Sequence, residues 1–178
     1  MAGILKVDKY QDFNGNDIMT SDGAGNITIN NTALKNTPAF EAYRSGTVQA
    51  VSSGGYVKIQ LNTEAYDTDN CYDNSTNYRF TPTSAGKYLF YAQVAFDTLN
   101  DGGIIWCSVY KNGSELWSDS TAISHNGSGN SNGIRFTISA DANGTTDYFE
   151  LYGRHNFGSD RNTTLGRNLF GGYKLIGA

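Results

Sequence analysis

Residues 80–96 read Phe80-Thr81-Pro82-Thr83-Ser84-Ala85-Gly86-Lys87-Tyr88-Leu89-Phe90-Tyr91-Ala92-Gln93-Val94-Ala95-Phe96, a turn followed by a long apolar strand. Pro82 and Gly86 bracket a tight turn, because proline presets one backbone angle and glycine tolerates the conformations a turn demands. Phe80, Tyr88 and Phe90 then fall on one face of a pleated strand, where side chains alternate. Aromatic side chains bury roughly 150–250 Å² each, so these three are read as core, with Phe96 continuing the row. From Tyr88 to Phe96 apolar residues stand on both faces for part of the length. A strand of this kind is covered on both sides. One side is the sandwich core, and the other is expected to meet a second layer or a second subunit.

Outward from this stretch, strand-like segments recur at 39–44, 47–51, 56–61, 78–80, 103–110, 115–118, 134–139, 148–154 and 170–176. Lys111-Asn112-Gly113 sits between two of them, and Asn-Gly between alternating runs is a strong hairpin signal. No window has the 3.6-residue apolar spacing of a helix of useful length. Composition agrees. Hydrophobic residues make up only 38% and charged residues 17%, while 21 Gly, 12 Tyr and 9 Phe are spread through Asn, Ser and Thr. Aromatic and β-branched residues suit strands, and Gly and Asn suit the turns between them. Many short strands without helices make a sandwich or jelly roll.

The run Phe80 to Phe90 resembles the signature of the globular head of complement component 1q: Phe, five residues, Gly, one residue, Tyr, one residue, Phe. Leu61, Asp67 and Tyr72 resemble the positions before it, with one extra residue of spacing ahead of Phe80. Ala92 departs from the aromatic the family carries two residues after Phe90. Residues 109–113 resemble the family's Asn-Gly hairpin, and residues 170–175, including Tyr173, its closing strand. The resemblance covers about residues 39–178. It implies an all-β, ten-stranded jelly-roll sandwich, similar to tumour necrosis factor and packed as a homotrimer, and it implies binding rather than chemistry. Phe80, Gly86, Tyr88, Phe90, Phe96 and Tyr173 are its expected core and trimer residues.

Pro38 marks a boundary: 38–178 is read as the jelly-roll domain and 1–37 as an extended N-terminal arm. The arm has two short apolar pieces, 4–7 and 27–29, the latter after the turn-rich run SDGAGN. Ile4, Val7, Ile27 and Ile29 are its anchoring candidates. The arm resembles the leading segment of bacteriophage virion proteins that carry a similar jelly roll. The beginning of the chain has no apolar stretch of a secretory signal. The reading is therefore a non-enzymatic virion structural protein on the particle surface. As a capsid decoration (cement) protein it would contact the major capsid protein or another virion protein. The alternative is a tail-fibre or receptor-binding tip recognising host glycan through Tyr66, Tyr72 and Trp117.

The net charge of -4, without a basic cluster, excludes a nucleic-acid footprint. No run of about 18 apolar residues spans a membrane as a helix. Cys71 and Cys107, the only cysteines, are read as unpaired buried thiols. His125 lies in a small polar loop and His155 at a strand end, and neither completes a catalytic pattern. No cofactor is expected. The one chemical candidate is the acidic group Glu64, Asp67, Asp69 and Asp73, hard oxygen ligands suited to calcium, although Cys71 and Tyr72 break the calcium-loop pattern.

Overall fold

A computed structural model describes residues 6–30, 34–124 and 130–177. The chain forms two compact units, Met1–Asn36 with Ile176–Ala178, and Thr37–Leu175. In the first, β1 (Lys9–Gln11), β2 (Asp17–Ser21) and β3 (Ile27–Ile29) make an antiparallel three-stranded sheet. The expected extended arm is thus a small sheet here, for a local reason. Asp12 Oδ1 accepts the N–H groups of Asn14 and Asn16, and Asp22 Oδ1 those of Ala24 and Asn26, so each carboxylate closes a hairpin. Among the described residues the first strand starts at Lys9, so Val7 precedes it; Ile4 lies outside the described residues.

The second unit contains β4 (Ala39–Tyr43), β5 (Ala50–Val51), β6 (Val57–Lys58), β7 (Thr63–Asp67), β8 (Tyr72–Asp73), β9 (Arg79–Phe80), β10 (Ala85–Leu99) and β11 (Ile104–Lys111). These are followed by β12 (Ser114–Ala122), β13 (Asn130–Asn143), β14 (Phe149–His155), β15 (Arg161–Asn162) and β16 (Leu169–Lys174). One sheet has the order β13-β10-β16-β4-β7, the other β12-β11-β14-β9-β8 with β6 also on β14; β5 and β15 pair separately. Successive strands cross between the two sheets, which makes the sandwich a jelly roll.

The residues of 80–90 do what their pattern demands. The chain leaves one sheet at Phe80 and enters the other at Ala85, and the Tyr88 hydroxyl closes this corner on the Ser84 carbonyl at 2.7 Å. Phe80, Tyr88, Phe90 and Phe96 are fully buried. Phe90 is central, with ring centroids at 4.4 Å from Phe149, 5.6 Å from Phe170 and 6.1 Å from Phe80. Asn112 and Gly113 both take positive φ, 54° and 78°, the primed turn whose twist matches the flanking strands.

Three expectations are corrected. The segment 47–51 pairs only at Ala50–Val51, and 56–61 only at Val57–Lys58, with Ile59 tied to the Leu151 carbonyl beyond the ladder. The acidic stretch read as a loop contains β7 and β8. The two cysteines, by contrast, are as expected: Cys71 and Cys107 are buried and unpaired.

His155 is fully buried and satisfied at both ring nitrogens. Nε2–H donates to the Val51 carbonyl at 2.8 Å, and Nδ1 accepts the Phe157 N–H at 3.4 Å. Burial holds the imidazole below its ordinary value of 6.5, against the opposing effect of the Val51 bond. A depressed value means that the unfolded chain takes up the proton first. The stability that depends on neutral His155 is present above about pH 6.5 and is lost as pH falls from there through the folded value. Urea denaturation at pH 7.5 and pH 5.0 is expected to show lower stability at pH 5.0, and His155→Gln is expected to flatten that difference. An unchanged difference in the variant would assign the acid sensitivity elsewhere.

Candidate functional site

The face of β10 turned away from the core carries Leu89, Tyr91 and Gln93. Register extends it sideways to Tyr173, Gly171 and Leu169 on β16, to Glu41 and Tyr43 on β4, and to Tyr66 on β7. A Cβ added at Gly171 would lie 2.3 Å from the Tyr91 ring, so glycine is what lets that ring lie against the β16 backbone. The Tyr91 hydroxyl donates to Glu41 Oε2 at 2.8 Å and stands 3.2 Å from the Tyr66 hydroxyl. Burial, then its bonds to Tyr66 and Glu41, pushes the Tyr91 phenol well above its ordinary range, so it remains a neutral donor. A cavity of about 420 Å³ opens beside it, lined by Glu41, Tyr91, Gln93, Arg135, Phe136 and Leu169. The outer face of this sheet is therefore a tyrosine- and leucine-rich surface, as the two-sided apolar pattern of 88–96 leads one to expect.

The flank between β12 and β13 is also apolar. Trp117 pairs with Val109 and so points to the core side of its strand, yet it is 56% exposed. Phe136 and Ile138, on the core side of β13, are only partly buried. The sandwich is open at this edge.

The acidic residues are engaged by backbone. Asp67 accepts the N–H groups of Tyr72 (2.7 Å) and Asp69 (3.3 Å). Asp73 accepts those of Ser75, Thr76 and Asn77 and the Asn77 amide, which hold its carboxyl far below the usual range. The same five-residue Asp-to-Asn turn closes at Asp12–Asn16 and Asp22–Asn26. Asp69 accepts the Thr68 hydroxyl at 2.6 Å. Glu64 and Asp73 border a polar cleft of about 580 Å³ with Asn70, Cys71 and Arg79. Burial and the Asp67 charge push the Glu64 carboxyl up. Among the described residues no three His, Cys, Asp or Glu side chains converge as a metal site.

The three aromatic candidates are not brought together. Tyr66 is 43% exposed on the outer sheet face, and Trp117 stands at the open flank. Tyr72 is a core residue, not a surface one: it is 5% exposed, stacks on Phe40 at 5.2 Å and sends its hydroxyl to the Leu61 carbonyl. Of the arm residues, Val7 is 43% and Ile27 65% exposed. Tyr173 lies on the outer face beside Leu89, and Gly86 borders the Lys174 side chain. His125 lies outside the described residues.

No family model matches this chain, and no curated protein matches it in sequence. Solved structures match it in fold. Eiger TNF from S. frugiperda superposes with a TM-score of 0.54 at 14% identity, over 79% of this chain and 93% of that one. Murine APRIL at pH 5.0 superposes with a TM-score of 0.57 at 14% identity, over 77% and 98%. The chain has a tumour-necrosis-factor-like jelly-roll fold. At such identity the likeness concerns the fold alone.

Proposed function

We propose that this chain is a non-enzymatic structural protein of a bacteriophage virion, a homotrimeric jelly-roll knob attached by its N-terminal unit and decorating the capsid surface. The observation that carries the trimer is the outer sheet face of Leu89, Tyr91, Leu169, Tyr173, Tyr43 and Tyr66. Face and flank are different surfaces, so a flank seated on the next copy's face makes a head-to-tail contact, and a ring of three closes it. Closure covers both apolar surfaces at once.

The N-terminal unit supports attachment. No described residue in 6–30 is buried, while Val7, Tyr10, Phe13, Ile18 and Ile27 are exposed. A small sheet without a core of its own gains one by docking. The particle partner is the major capsid protein or another virion protein. The tail-fibre reading rests on Tyr66 and Trp117, which ring closure would cover.

Light-scattering mass of the full chain and of 37–178 tests the knob: about three chain masses are expected in both, and a monomeric 37–178 would overturn assembly through the sandwich. Removal of residues 1–36 is expected to abolish attachment to particles in a co-sedimentation assay while the trimer persists. Retained attachment would sink the anchoring role.

A further inference from the structure

The outer face of the second sheet carries a feature that neither trimer closure nor attachment uses. Register sets Ser120, Trp106 and Arg154 side by side across β12, β11 and β14, and the pairing of Val57 with Gly153 brings Tyr56 next in line. These side chains point outward, because their neighbours Ile105, Cys107 and His155 fill the core. The Arg154 guanidinium lies 4.4 Å from the Trp106 ring centre and 5.6 Å from that of Tyr56. Two rings therefore hold it in place.

Its Nε–H is buried without a hydrogen-bond partner, and no carboxylate pairs with it among the described residues. With Nε covered, the two terminal nitrogens are the donors a ligand can reach. Of the other cations on or beside this face, Lys58 pairs with Glu150 and Lys111 with Asp147, while Arg79, like Arg154, lies over a ring, that of Tyr148. Arg154 alone of these is held between two rings, a fixed fork of donors whose geometry matches a carboxylate with two parallel bonds.

We infer that this row binds an acidic saccharide, a sialic or uronic acid residue of a glycan, with its carboxylate on Arg154. The surroundings favour a sugar over a polyanion. Among the described residues only Arg154 and Arg79 on this face lack a carboxylate partner, each lies over a ring, and the chain carries a net charge of -4, so a phosphodiester chain finds no row of free positive charge. The walls are aromatic, with Tyr110 stacked on Tyr152 at 4.0 Å beside the row. Ring faces are electron-rich and meet the positively polarised C–H groups of a pyranose. The hydroxyls of Tyr56 and Ser118, 2.8 Å apart, supply donors and acceptors for sugar hydroxyls. The site is complete in one copy, so it stands whether or not the trimer forms.

The test uses the full chain carrying Trp117→Phe, so that Trp106 alone reports by fluorescence. It is titrated with 3′-sialyllactose, a glucuronate-terminated disaccharide, lactose and sodium acetate. A saturable change is expected with at least one acidic saccharide, with no matching response to lactose or acetate. Arg154→Gln is expected to weaken that binding at least tenfold. Arg154→Lys, which keeps the charge and loses the fork, is expected to weaken it as well while keeping the circular dichroism spectrum. Saturation by neither acidic saccharide, an equal response to lactose or acetate, or unchanged affinity in both Arg154 variants would overturn the inference.

Discussion

Phe90→Ala is expected to lower the unfolding free energy by about 3–5 kcal/mol, the range for a large aromatic removed from a core that cannot collapse around the gap. Phe90 is fully buried between the two sheets, within 6.1 Å of Phe80, Tyr88, Phe149 and Phe170, centre to centre. The site is already tight, since a Cβ on Gly172 would fall 2.5 Å from the Phe90 ring. Four neighbouring rings on two β-sheets cannot all move inward together, so the cavity persists. Domains of this kind are stable by only about 5–15 kcal/mol, and the loss would leave the variant close to unfolding. Denaturant midpoints at one fixed protein concentration measure it, since assembly adds to apparent stability. Leu116→Ala, at an exposed position on the edge strand β12, is expected to stay within about 0.5 kcal/mol. Equal losses in the two variants would contradict the placement of Phe90.

Leu89→Arg is expected to convert the proposed trimer to a monomer that remains folded. Leu89 lies on the outer face of β10 between Tyr173 and Ser139. An arginine there is well solvated in a single copy and is desolvated only when a second copy closes over it. A buried charge without a partner commonly costs about 3–5 kcal/mol, and threefold symmetry repeats that cost at each contact. Light-scattering mass is expected to fall from about three chain masses to one, with the β-sheet circular dichroism spectrum retained. A variant that remains trimeric would move the interface off this face. An insoluble variant would be checked with Tyr91→Lys, on the same face and next to Gly171.

These two residues are adjacent in the strand and lie on opposite faces of the sheet, and that much is legible in the sequence. In 80–96 the pleat alone assigns Phe80, Tyr88 and Phe90 to the core and marks the other side as apolar. The Asn112-Gly113 turn and the 27–29 strand after SDGAGN are legible for a similar reason. A turn or a pleat is fixed by residues a few positions apart, and their chemistry is local. Less of the surface chemistry was legible. The density of carboxylates at 64–73 suggests a metal loop, and what that density does not foretell is that Asp67 and Asp73 accept N–H groups of their own turns. Tyr72 stands in that polar run and packs into the core, because its strand β8 pairs with β9 beside Phe80.

Local pattern suffices for the strand-forming segments, the corner at Pro82 and Gly86, and the aromatic core. Which strands become neighbours is a property of the folded sandwich. Tyr56, Trp106 and Arg154 are far apart in the chain and form one row only because β6, β11 and β14 pair in a particular register. A shift of one residue would turn each of them inward. Alternation says which residues share a face of one strand, but the partner strand is set by how the whole sandwich buries its apolar surface, and no short stretch of sequence carries that information.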